Sequence, residues 1–245
     1  MTAIILAGGR GRRMKADKAS LDIGGRTLLA HVLAQLEPYF EEILISVTPG
    51  QELPPVRLVR LPTRSPGSAT ALQPSGRIRV VKDEIPGQGP IGGLCAALKT
   101  ASNEACAVVA CDIPEIDIAL LRSLARAVAD AEVAVPVGPA GLPEPLFAVY
   151  RRSIIPAIGS LLGRGERSLL PLYRACRTAL VRFDDPRRIR NLNTRRDYED
   201  YLDSRPNEGA GRDRANRSVR RDAEPARKNG TGPRFRRPGR RQAPG

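Results

Sequence analysis

The sequence predicts a three-layer α/β/α fold around a mostly parallel sheet. Three observations carry that expectation. Short β-branched runs alternate with amphipathic stretches from residue 1 to about residue 203, as strands and helices do when they take turns. The run Ala105–Ala110 contains no polar residue, which suits a strand covered on both faces. The chain is 41% hydrophobic but only 4% aromatic and has no Trp, so its core should be aliphatic. At 245 residues it is long enough to bury one.

The elements follow in order. Ala3–Ala7 is a strand that runs into glycines. Thr27–Leu36 carries Leu28, Leu29, Val32, Leu33 and Leu36 at helical spacing and stops before Pro38. Ile43–Val47 and Ile78–Val81 are the next strands, the second leading to Asp83. A helix begins at Leu94 after a glycine cluster, and Ala105–Ala110 is a strand. Ile118–Val128 is a helix, and Val133–Val137 and Leu146–Tyr150 are strands. Helical patterns extend to about Tyr173, Ala179–Phe183 is a late strand, and Arg195–Leu202 closes the domain as a helix.

Two segments depart from this alternation. Gln51–Gly76 is rich in Pro, Ser, Thr and Gly and reads as an inserted surface loop. Residues 204–245 hold thirteen Arg/Lys against four Asp/Glu, a net +9 of the chain's +14. With Val219 and Phe235 as its main apolar side chains, this tail buries too little to offset its ordering entropy and is expected to be disordered. The domain proper is therefore residues 1–203. An Arg-rich tail also gives a basis for weak, salt-sensitive nucleic-acid contact, though without the interleaved aromatics that stack on bases.

Composition narrows the setting. No apolar run approaches the ~18 residues of a membrane span, and the N-terminus lacks the basic-then-apolar pattern of a signal peptide. Cys95, Cys106, Cys111 and Cys176 form no C-x-x-C pair, and the single His31 cannot complete a metal set. Buried reduced thiols in a cytoplasmic protein are the expectation. His31, alone on a helix, reads as structural.

The chemistry gathers at strand ends. The first strand leads into Leu6-Ala7-Gly8-Gly9-Arg10-Gly11-Arg12-Arg13-Met14, followed by Lys15-Ala16-Asp17-Lys18. Glycines there let backbone N–H groups close around an anion, while Arg13 and Lys18 bring positive charge. It is not a Walker A sequence, because Gly-Lys followed by Ser or Thr is missing. The plainer alternative is a tight turn with a basic face.

A second glycine stretch, Gly87-Gln88-Gly89-Pro90-Ile91-Gly92-Gly93, matches the G-x-G-x-x-G dinucleotide fingerprint, with Asp112 about 20 residues on. Two features count against that reading. Asp83–Pro86 separates it from its strand, and Pro90 removes a backbone N–H. A glycine-lined wall for a base and ribose is the better expectation. Asp83 and Asp112 each follow a strand. If those strands are neighbours, the two carboxylates suit Mg²⁺, which takes few carboxylates plus phosphate oxygens. Each is otherwise a turn or cap residue. Asn191 and Asn193, in Asn191-Leu192-Asn193-Thr194, point to one side if that segment is a strand, and Thr194 is placed to cap the last helix.

These motifs together resemble the molybdenum cofactor guanylyltransferases. The match runs through Leu6–Gly9, Arg13-Met14, Asp17-Lys18, Gly89–Gly93, Cys111–Pro114 and Asn191–Thr194, in order, over residues 1–203. The resemblance implies a Rossmann-like nucleotide-diphosphosugar-transferase fold. It also implies transfer of GMP from GTP to the terminal phosphate of molybdopterin. Its nucleotide loop falls on Leu6, Ala7, Gly8, Gly9 and Lys18, with a further nucleotide contact on Asp83. Asp112 takes the role of both nucleotide-site and magnesium aspartate, and Asn191 and Asn193 that of pterin-side residues. Lys18, Arg13 and Asp112 become the catalytic set. Transient contact with other proteins of the molybdenum cofactor pathway is a further implication. A CTP- or sugar-phosphate-type nucleotidyltransferase of the same fold is the alternative enzyme, and a nucleic-acid-binding protein acting through its tail the alternative of another class.

Overall fold

The computed structural model describes residues 1–8, 17–54, 78–83 and 87–205. They lie within a compact unit, Met1–Arg205. Four expectations fall outside the described residues: Gly9 and Arg13 of the first loop, most of the Gln51–Gly76 insertion, and the tail beyond Arg205.

Among the described residues, seven strands form one sheet: β1 (Thr2–Leu6), β2 (Glu42–Val47), β3 (Ile78–Lys82), β4 (Ala105–Ala110), β5 (Val133–Val137), β6 (Phe147–Arg151) and β7 (Thr178–Arg182). Their order is β3-β2-β1-β4-β6-β5-β7. Only β6 runs against its neighbours; the other pairings are parallel. The mostly parallel sheet read from sequence is the observed one. β6 shares only Val133 and Ala134 of β5, so Pro136 lies beyond the ladder that its missing N–H would have interrupted.

Two apolar layers cover the sheet. The helices are α1 (Leu28–Leu36), α2 (Gly89–Thr100), α3 (Ile118–Ala127), α4 (Ile155–Gly163), the short α5 (Leu172–Ala175) and α6 (Arg195–Ser204). Ala3 and Ile5 face a core with α1, α3 and Tyr201 of α6. Ile4 and Leu6 face a second core with α2, α4 and α5. Successive strand side chains point to opposite faces, so burial on both sides demands the unbroken apolar runs seen in β1 and β4. Among the described residues no helix is long and apolar enough to cross a membrane.

Local chemistry sets the helix starts. Thr27 accepts from Ala30 N (3.2 Å) and Asp117 from Leu120 N (2.8 Å). Thr194 caps α6 in a reciprocal box with Asp197. One boundary differs from expectation: α2 begins at Gly89, not at Leu94. Gly89 turns the chain with φ of +67°, and Pro90 takes a first-turn position where no N–H is needed. The next glycines serve packing. A Cβ on Gly92 would lie 2.7 Å from Asp83 Oδ2, and one on Gly93 2.7 Å from Ser46 Oγ.

Candidate active site

The carboxyl ends of the parallel strands share one edge, the place where open α/β sheets take ligands. Ala7 N donates to Ser46 O (2.9 Å), and Cys111 N donates to Leu6 O (3.1 Å). Leu6 and Ala7 are therefore pinned between the ends of β2 and β4. Gly8 follows on the surface, and a Cβ there would press on Thr48 at 3.2 Å. Asp17 is the next described residue. Its carboxylate accepts from Ala19 N (3.1 Å) and starts a single 3₁₀ turn, Lys18–Ser20, locked by buried Ala19.

That turn aims Lys18 inward. Its Nζ donates to Asp112 Oδ2 (2.7 Å) and to Asn193 Oδ1 (3.2 Å). Residues far apart in the chain thus meet at one point. Asp112 is fixed by its backbone, whose carbonyl accepts from Leu192 N (2.8 Å). Its other carboxylate oxygen, Oδ1, is buried and has no hydrogen-bond partner among the described residues. An unpaired buried carboxylate oxygen is costly, and a cation relieves that cost. No group of three His, Cys, Asp or Glu side chains suited to a metal occurs among the described residues. A single carboxylate completed by phosphate oxygens and water is the ligand set Mg²⁺ accepts. Asp112 fits such an ion.

The premise that Asp83 and Asp112 follow neighbouring strands is overturned. Asp83 follows β3 and Asp112 follows β4, with β2 and β1 between them. Three strand spacings separate the two ends by about 14 Å, too far to share one ion. Asp83 is buried, and its N–H donates to Val47 O (2.9 Å). It lines a cleft of about 350 Å³ with Gln88, Gly92, Cys95 and Lys99 against α4.

The second glycine stretch also differs from a dinucleotide loop. From Gly89 it is helix, and Asp83's carboxylate already sits against its first turn. A pyrophosphate would have to displace or repel that carboxylate.

Residues 191–193 belong to no strand of the sheet and to no helix. Leu192, fully buried, anchors the segment. The two asparagines meet different partners. Asn193 faces Lys18, and Asp197 Oδ2 accepts from its N–H (2.9 Å). Asn191 lies near the carboxyl of Glu144, a residue that the sequence motifs did not reveal. Burial pushes the Glu144 pKa up, the Asn191 amide opposes this, and the charge of Asp112 adds to the rise.

His31 stands apart from this cluster. It is buried in α1, with Nε2 3.4 Å from Tyr201 Oη and 3.5 Å from Glu115 Oε1. It braces α6 against α1, as its structural reading supposed. The four cysteines are all free thiols, three of them buried, and burial pushes Cys106 up to about 12. Burial raises Cys111 and Cys176 as well, which disfavours the reactive thiolate at these positions.

With this fold and this edge, residues 3–179 match the model of the MobA-like NTP transferase domain. The chain belongs to that family and is a nucleotidyltransferase. It is 30% identical to a probable molybdenum cofactor guanylyltransferase of Carboxydothermus hydrogenoformans, over 82% of this chain and 95% of the relative. It is 32% identical to the molybdenum cofactor guanylyltransferase of Syntrophotalea carbinolica, over 85% of this chain and 93% of the relative. The fold is shared with molybdopterin-guanine dinucleotide biosynthesis protein A of Archaeoglobus fulgidus (TM-score 0.62, 21% identity, 83% of this chain and 97% of that one). It is shared also with Rv0371c of Mycobacterium tuberculosis, solved in complex with manganese (TM-score 0.57, 20% identity, 83% and 97%).

Proposed function

We propose that this nucleotidyltransferase moves GMP from GTP to the terminal phosphate of molybdenum–molybdopterin, giving the guanine dinucleotide cofactor and pyrophosphate. One observation carries the reading. Lys18, Asp112 and Asn193 converge from near the start, the middle and the end of the compact unit onto the carboxyl edge of the sheet. The names of the relatives favour guanylyl over cytidylyl transfer and molybdopterin over a sugar phosphate.

The roles follow from position. Backbone N–H groups of the loop opened by Leu6, Ala7, Gly8 and Gly9 hold the nucleotide's phosphates. Lys18, assisted by Arg13, stabilises charge that develops on them. Asp112 would hold Mg²⁺ through Oδ1, which has no partner among the described residues, while Lys18 keeps Oδ2. The ion, when bound, neutralises phosphate charge during attack at the α-phosphate. Asp83, about 14 Å from Asp112 across the sheet, contacts the nucleotide away from the reacting phosphates. Asn193 and Asn191 line the acceptor side. No covalent protein intermediate is needed, because holding two phosphates in line supplies most of the acceleration. The reaction belongs to the cytoplasm, where other proteins of the same pathway supply and receive the pterin by transient contact. The basic tail from residue 204 is an accessory outside the catalytic domain, residues 1–203, with nucleic-acid contact as a weak side property.

Labelled GTP, CTP and ATP, each incubated with molybdopterin and Mg²⁺, test the reading. Dinucleotide and pyrophosphate should form with GTP alone, stop on adding EDTA and return with Mg²⁺. Product from CTP instead, or transfer to a sugar phosphate but not to molybdopterin, would overturn it.

A further inference from the structure

Glu144 lies on the segment that enters β6, the antiparallel strand. Its N–H donates to Pro136 O at the end of β5 (3.0 Å), and its carbonyl accepts from Phe147 N (3.1 Å). Two residues on, Leu146 O accepts from Ala110 N (2.7 Å), two positions before Asp112. The backbone thus fixes Glu144 at the same edge as Asp112, on the side of β4 away from β1. Its side chain is half-buried and near Asn191, which the bond from Leu192 N to Asp112 O (2.8 Å) brings to the same edge. Behind it, Tyr150 Oη donates to Pro145 O (2.8 Å) and lies 3.5 Å from Tyr173 Oη.

A carboxylate is an odd choice for this place. Both substrates bring phosphates to this edge, and Asp112 already adds a negative charge. If bracing Asn191 were the whole task, a neutral amide would serve as well. A negative acceptor is favoured by a cation, which Asp112 is placed to take, or by N–H donors on the ligand. A pterin offers two side by side, its 2-amino group and the neighbouring ring N–H. One carboxylate accepts such a pair with both oxygens, as it does from a guanidinium.

We propose that Glu144 reads the amino-pyrimidinone edge of the pterin acceptor, with Asn191 fixing the orientation of the carboxylate. The proposal rests on the acceptor reading given above. It divides the acceptor between two clusters. Lys18, Asp112 and Asn193 manage its phosphate end, and Glu144 and Asn191 its ring end. Buried Leu192, between the asparagines, keeps the two clusters at a set spacing.

Glu144→Gln keeps the size of the side chain and an oxygen for Asn191, but it replaces an acceptor with a donor. Molybdopterin affinity, titrated directly without GTP, should fall roughly ten- to hundredfold, with GTP affinity unchanged. Glu144→Ala should show the same selective loss, and thermal unfolding of both variants identifies those that fold. Unchanged molybdopterin affinity in a folded variant overturns the proposal. So does an equal loss of GTP affinity, which marks a structural role. Wild-type protein that binds molybdopterin but makes no dinucleotide from GTP would sink the guanylyl reading and leave Glu144 standing. Wild-type protein that binds no molybdopterin sinks both.

Discussion

Two carboxylates at opposite edges of the sheet show how a fold residue differs from a site residue. Glu42, at the start of β2, accepts from Thr2 Oγ1 (2.5 Å), Ser102 N (2.9 Å) and Ser102 Oγ (2.8 Å), and pairs with Arg79. Burial alone would raise its pKa, but the bonds from Thr2, Ser102 and Arg79 outweigh that and bring it down to about 2. Asp112, at the opposite edge, has one cation on one oxygen and no hydrogen-bond partner for the other among the described residues. The first carboxylate is saturated by its own chain and ties β1, β2, β3 and the end of α2 together. The second is left incomplete, which is affordable only where a ligand completes it. The difference lies in satisfaction, since both are largely buried and both touch a basic side chain.

Four variants or conditions bear on that contrast, beginning with the largest effect. Asp112→Ala should lower guanylyl transfer on the order of 10³-fold while leaving the unfolding free energy within about 1 kcal/mol. Retained turnover would break the comparison at its active end. Lys18→Ala should cost on the order of 10²-fold in turnover, measured at saturating GTP. Glu42→Gln should do the reverse. It should lose about 2 kcal/mol of stability, a fall of roughly 4–8 °C in Tm, with turnover per folded molecule intact. A drop in kcat larger than the loss of folded protein would remove Glu42 from the structural side.

The smallest effect is a pH dependence. Glu42's folded pKa is depressed from 4.5 to about 2. Its contribution is therefore fully present above the unfolded value of 4.5 and fades as pH falls through 4.5 toward 2. Denaturant unfolding across that range should show a step in wild type that Glu42→Gln lacks. An identical slope in both would mean that other carboxylates carry the acid sensitivity.

Much of the fold was legible because local signals agreed with one another. Ala105–Ala110 reads as a buried strand because its six apolar residues are too few for a typical helix and Asp112 and Pro114 end the run. Thr194 announced the start of α6 by its hydroxyl, and its cap is present. Strand order was not legible. Nothing local says that β2 and β1 come between β3 and β4, so the pairing of Asp83 with Asp112 was a reasonable error. Glycine was ambiguous for a physical reason: the absent Cβ serves a phosphate loop and a tight helix–sheet contact equally well, and at Gly92 and Gly93 the contact is what forms. Glu144 was hidden because it lies in a turn and gains its neighbours only through the reversal of β6. Lys18, Asp112 and Asn193 could each be singled out by motif, but their convergence is a property of the folded chain.

That convergence has a consequence in time. Lys18 and Asn193 are 175 positions apart. At synthesis rates of ~5–20 residues per second, roughly ten to thirty-five seconds separate their emergence from a ribosome. During that interval the growing chain can present a lysine and later an aspartate, but not the asparagine that also accepts from the lysine. A chain cut short before Asn191 therefore keeps Lys18 and Asp112 but lacks the asparagine that accepts from Lys18.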